Sequence, residues 1–236
     1  MMADFLTGFV SLIAYFVLFV VIALIVRKFV LIPKEVFRKI LHFMLLGSLP
    51  VFLFGFEHWW KAVLASLLFL AVVFPLLAFG ERFKGYSNWL IERRQGEVKN
   101  SAAVIFVVFA VIISICWGWL GEPWLALASV YAWGFGDAAA ALVGKKYGRR
   151  FLQGRTIEGP KTVEGTVAMF VVSFLTVRII VATNATLIPI GYLLIPLVTA
   201  VVSAAVELYT PKGFDTLTCP LAATAVILPL VQVLGA

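Results

Sequence analysis

The chain has 236 residues, 63% of them hydrophobic and only 13% charged, with a mean hydropathy of +1.06. That composition excludes an ordinary soluble domain and leaves an all-α, polytopic membrane protein built as one integral membrane domain. The net charge of +7 sits in short gaps between apolar runs, so it points to topology and excludes nucleic acid as a partner.

About 20 apolar residues cross a bilayer, and the candidate runs are Phe5–Val26, Leu41–Phe56, Ala62–Phe79, Ala102–Leu120, Trp124–Val143, Val163–Thr183, Leu187–Leu208 and Leu217–Leu234. Eight spans is the preferred count. The second, third and eighth runs are short, so seven spans with a re-entrant piece is the alternative. The first run is followed, not preceded, by cations (Arg27, Lys28), which reads as a retained helix with its N-terminus outside. Residues 1–33 then form an N-terminal helix, 34–220 a core, and 217–236 the last helix. Every Lys and Arg except Lys61 and Arg178 falls in the first, third, fifth or seventh gap, which assigns those gaps to the cytoplasm. Trp59, Trp60, Trp117, Trp119 and Trp124 mark the opposite face as an aromatic belt. In the third gap, residues 80–100, the helical spacing of Phe83, Tyr86 and Leu90 predicts a helix lying in the cytoplasmic interface. Cys116 and Cys219 share no metal or disulfide spacing and read as small buried hydrophobes.

The chemistry concentrates between Trp133 and Gly165. Asp137 stands inside the fifth run, where an ionisable group is costly and marks a functional site. Its carboxylate suits a magnesium ligand or a base for a hydroxyl at the membrane surface. Gly144, seven residues on, shares its helical face. The loop that follows, with Gly144, Lys145, Lys146, Gly148 and then Gly154-Arg155, offers backbone and cations that can cradle phosphate oxygens, without a Walker A pattern. Lys161, Thr162 and Glu164 open the next helix, whose N-terminus favours anions; Lys161 can neutralise a phosphate and Glu164 hold a metal. Arg38, Lys39 and His42 begin the second span. Arg38 and His42 share a face and supply a second wall of phosphate contacts, with His42 orienting a phosphate or a metal ligand. Glu207 and Asp215 bring the carboxylates near this membrane face to four, a set suited to a divalent metal holding a nucleotide. The plainer alternatives are that the cations only set topology and that Asp137 pairs with a neighbouring helix. His58 and Arg178 read as structural. Residues Arg155–Pro160 and Lys161–Thr166 form a doublet of one hexapeptide.

Four segments taken together resemble the polyprenol kinase family, which includes dolichol kinases, phytol kinases and CTP-dependent diacylglycerol kinases. They are Arg38-Lys39-Ile-Leu-His42, Gly136-Asp137 through Gly144-Lys145-Lys-Tyr-Gly148, Lys161-Thr162-Val-Glu164-Gly165-Thr166, and Glu207 with Asp215 through Pro220. The resemblance runs from about Lys34 to Pro220 and departs at Asp215-Thr216, where Asp-Asn is expected. It implies a membrane enzyme that moves the γ-phosphoryl of CTP to a lipid hydroxyl with magnesium. Arg38, Lys39, Asp137, Gly144 and Lys161 are the functional residues it implies, and Thr162 and Gly165 fall in the same nucleotide-binding segment. The expected substrates are CTP and a lipid alcohol drawn from the surrounding membrane lipids; an oligomer is not expected. A cytidylyltransferase that makes a CDP-lipid is the nearer rival reading, and a transporter the farther one.

Overall fold

The computed structural model describes residues 2–83, 86, 96–154, 157–211 and 213–235. Eight helical stretches in it are long and apolar enough to cross a membrane, and the protein is an all-α polytopic membrane protein. Two compact units divide the chain, residues 1–121 and 122–236.

The first unit begins with α1 (Met2–Phe29). Pro33 caps the start of α2 (Lys34–Gly47), and a break at Ser48 with Pro50 just beyond it starts α3 (Leu49–Phe54). Together α2 and α3 make the second span, Lys34–Phe54. This span starts seven residues before the apolar run at Leu41, so Arg38, Lys39 and His42 are helical. After α4 (Trp59–Gly80) comes α5 (Glu97–Ile113), extended by a π-helical turn, Ser114–Trp119. The ring of Trp59 lies so close to Gly118 that a Cβ there would stand 2.8 Å from it. The interfacial helix expected over 80–100 lies largely outside the described residues.

Phenylalanines fill the core of this unit: Phe16 stacks on Phe69 at 4.6 Å, and Phe106 meets Phe69 at 5.1 Å and Phe109 at 6.1 Å. Ser66 Oγ donates to Phe106 O across α4 and α5, at 2.9 Å. Helix α1, otherwise largely lipid-facing, is fastened at three heights. Lys61, 1% exposed, donates to Asp4 and to Glu57. Tyr15 OH donates to Met44 O at 2.8 Å, and the Arg27 guanidinium lies 5.0 Å from the Phe37 ring.

The second unit is a ring of four helices, α6 (Pro123–Tyr147), α7 (Val163–Asn184), α8 (Gly191–Tyr209) and α9 (Asp215–Leu234). Each packs on the next, and α9 closes back on α6. Lipid tails are as apolar as leucine, so close backbone approach and hydrogen bonds must hold such a bundle together. The α6–α7 seam shows both. A Cβ on Gly136 would meet Ser173 Oγ at 2.5 Å and Met169 Sδ at 2.7 Å, and one on Gly165 would meet the Ala140 carbonyl at 3.0 Å. Ser173 Oγ donates to Ala132 O at 2.6 Å. Between α6 and α7 the chain forms a short hairpin, β1 (Phe151–Leu152) antiparallel to β2 (Lys161–Thr162), with Phe151 opposite Thr162 and Leu152 opposite Lys161. The hairpin brings Lys161 back to the end of α6 it has just left.

Candidate active site

Four-helix connectivity places the end of α6, the start of α7, the end of α8 and the start of α9 together. Lys145, Lys146, Lys161, Thr162, Glu164, Glu207 and Asp215 sit there, with Asp137 ten residues before the end of α6. Thr162 is the N-cap of α7, and its Oγ1 accepts from Gly165 N at 3.1 Å. Such a cap satisfies one of the donors left open at a helix start. Gly144 faces that cap: a Cβ on it would stand 3.0 Å from Thr162 Oγ1 and 3.6 Å from Gly165 Cα. Gly148 abuts Thr162 as well, at 2.6 Å from its Cγ2 by the same measure. Three glycines read from sequence as phosphate-loop residues thus have a packing role, letting α6, its loop and α7 meet without side chains between them.

Glu164 turns toward the loop. Its Oε2 accepts from the backbone N–H of Arg149 at 3.2 Å and of Arg150 at 3.4 Å. The carboxylate expected to hold a metal therefore fixes the shape of the basic loop. With Lys146, Tyr147, Gly148 and Arg149 it lines a surface cleft of about 330 Å³. Lys145 and Lys146 are exposed on the last turn of α6, and Lys146 Nζ lies 5.1 Å from the ring of the half-exposed Tyr147. Arg155 lies outside the described residues.

Lys161 faces α8. Its ammonium donates to the carbonyl of Glu207 at 2.8 Å and forms an ion pair with the Glu207 carboxylate, which is 7% exposed. Both groups close the C-terminal end of α8, where carbonyls lack intrahelical partners and a cation is favoured. Of the four carboxylates expected near this face, Asp137 lies within α6, Glu164 opens α7, Glu207 stands near the end of α8 and Asp215 opens α9. Among the described residues, however, no three His, Cys, Asp or Glu side chains stand close enough together to hold a metal ion. Thr210 and Thr218 join α8 to α9 beside them, Oγ1 to Oγ1 at 3.0 Å.

In the first unit Arg38 bridges Glu35 at 3.2 Å and Glu97 at 2.6 Å, joining α2 to α5. Lys39 and His42 are half-buried on the same helix. Arg178 and His58, read as structural, are so placed: Arg178 donates to Tyr192 O, and His58 stacks on Trp60. Sequence reasoning passed over Glu97, Tyr147 and Ser203. The spacing of Ser203, four residues before Glu207, was the available signal for the last.

The chain is 30% identical over 209 residues to a protein named phytol kinase from Synechocystis sp., across 86% of this chain and 82% of that relative. No family profile and no solved structure matches it. Likeness over nearly the full length of both chains, joined to eight apolar helices, places the protein: it belongs to the polyprenol kinase family of integral membrane proteins.

Proposed function

We propose that the protein is a CTP-dependent lipid-alcohol kinase, and that its acceptor is an isoprenoid alcohol such as phytol, geranylgeraniol, a polyprenol or dolichol, or else diacylglycerol. The observation that carries this reading is the ion pair of Lys161 with Glu207 near the end of α8, next to the helix that Asp215 opens, with a basic cleft where α6 turns into α7. Phosphoryl transfer needs little more than positioning and charge neutralisation. The alcohol oxygen bonds to the γ-phosphorus, the bond to the bridging oxygen breaks, CDP leaves, and the hydroxyl proton passes to a base. Asp137, a half-buried carboxylate within a spanning helix, is the group we assign to that end of the reaction. Lys146 and Arg149 of the cleft bind the triphosphate, and Glu164 holds their loop in shape through two amides. Lys161 is held toward the acids by Glu207.

The donors fit magnesium in the way that ion usually binds, through one or two carboxylates with the remaining positions taken by water and substrate phosphates. Asp137 and Asp215 would hold it, one carboxylate from each of two helices that pack together. When bound, the ion supplies charge neutralisation of the phosphates. The catalytic end faces the cytoplasm in this reading, which the distribution of Lys and Arg supports.

The test is purified protein with γ-labelled CTP and magnesium, offered phytol or geranylgeraniol, a long polyprenol, diacylglycerol and phosphatidate in parallel. Label on one alcohol is the expected result. Pyrophosphate release with phosphatidate identifies a cytidylyltransferase, and turnover with none of them rejects both. Asp137→Asn is expected to abolish transfer while leaving a folded, extractable protein; near-wild-type turnover in that variant would sink the assignment.

A further inference from the structure

Hydroxyls buried inside a spanning helix usually bond back to a carbonyl one turn earlier, and two threonines of the second unit follow that habit. Thr199 Oγ1 donates to Ile195 O at 2.7 Å and Thr224 Oγ1 to Pro220 O at 2.8 Å. Ser203 breaks it. Its residue is fully buried and its Oγ has no hydrogen-bond partner among the described residues. Ser203 precedes Glu207 by four residues, so the two share a face of α8, one turn apart. That face carries the buried polar set Thr199, Ser203 and Glu207, with Glu207 already engaged by Lys161. Ser203 is therefore the deeper, unsatisfied neighbour of the acid group, set between the charged end of the bundle and its apolar interior.

A buried hydroxyl left unpaired is costly, and each one in a native fold calls for an explanation. A hydroxyl both donates and accepts, so its natural complement is another hydroxyl. We infer that Ser203 is a positioning residue that hydrogen-bonds the hydroxyl of the lipid alcohol and sets it against the acids of α6 and α9. The inference rests on the reading of this unit as a lipid-alcohol site. It adds the group that distinguishes an alcohol from the hydrocarbon chains filling the membrane around it, because a site built to bond a hydroxyl rejects analogues that lack one. A serine placed there only for close helix packing makes no such distinction.

Binding of geranylgeraniol and of the hydrocarbon of the same skeleton lacking the hydroxyl, followed by thermal shift in mixed micelles, separates the two roles. Wild type is expected to bind the alcohol about five- to tenfold more tightly, the worth of one net hydrogen bond. Ser203→Ala loses that preference, keeps its affinity for the hydrocarbon, and melts no lower than wild type, since it removes an unpaired group. Ser203→Cys, nearly isosteric and a weak donor, behaves the same way. Ser129 is likewise fully buried and unpartnered but lies near the opposite end of α6, so Ser129→Ala retains the preference. A wild type with no preference, or a Ser203→Ala protein that keeps it, overturns the inference. A preference that follows Ser203 in a protein that transfers no phosphoryl group from CTP leaves the inference standing and rejects the kinase reading instead.

Discussion

Lys161 illustrates how one side chain can hold a fold and serve its chemistry at once. Its ammonium caps α8 through the carbonyl of Glu207 and neutralises that residue's carboxylate. Lys161→Ala leaves a nearly buried carboxylate without its cation, a change that costs about 3 kcal/mol or more in a closed interior; partial exposure of Lys161 lowers that to about 2 kcal/mol. The expected readout is a lower unfolding midpoint in detergent together with lost transfer. The double variant Lys161→Met with Glu207→Met is expected to recover stability and not activity; recovery of both would show that the pair serves structure alone. Thr162→Val removes the cap of α7 and is expected to cost about 1 kcal/mol, read by the same melt. Asp137 was legible because one acid in an apolar run announces itself. The pairing of Lys161 with Glu207 was not, because the partners lie 46 residues apart and no local pattern tells which helices adjoin. Arg38 shows both cases: its bridge to Glu35 is a three-residue spacing, whereas Glu97 comes from a helix 59 residues away.

Helices pack in this protein by removing side chains from their seams. Gly165→Ala puts a methyl 3.0 Å from the Ala140 carbonyl, an atom of the backbone that cannot rotate aside, so α6 and α7 must separate. The expected cost is about 1–3 kcal/mol, and Gly136→Ala is expected to cost at least as much, since its methyl would stand 2.5 Å from Ser173 Oγ, which is held by its bond to Ala132 O. A ranking in the opposite order on thermal melts would mean that the seam is looser than described. Hydropathy located the spans well, since a bilayer demands a fixed apolar length. It misplaced the starts of α2 and α5, which reach back to Lys34 and Glu97, because hydropathy reports where lipid lies and not where helical hydrogen bonding begins. Of the hexapeptide doublet, Lys161–Thr166 forms β2 and the first turn of α7, whereas Ile157–Pro160 of the earlier copy is neither helix nor strand.

The two units divide the chain near its middle; composition alone could not indicate that division, since apolar runs and short polar gaps alternate through both halves. The distribution of Lys and Arg predicts an orientation, which can be tested directly. A cysteine at Lys145, exposed on the last turn of α6, is expected to react with a membrane-impermeant maleimide only after the cytoplasmic face is opened, whereas one at Met2 reacts in intact cells. Both native cysteines are buried, so the wild-type chain gives a low background. Labelling of Lys145→Cys from outside would invert the topology and place the basic cleft beyond the reach of cellular CTP.

The buried pair of Lys61 and Asp4 also bears on the order of biogenesis. Asp4 enters the membrane machinery with the first helix, whereas Lys61 is synthesised 57 residues later. During translation Asp4 therefore stands without this cation until α4 emerges, so the contact that fastens the start of α1 to α4 forms late. A tag fused directly before Asp4 loads that unfinished contact, while one placed after Gly235 leaves it alone.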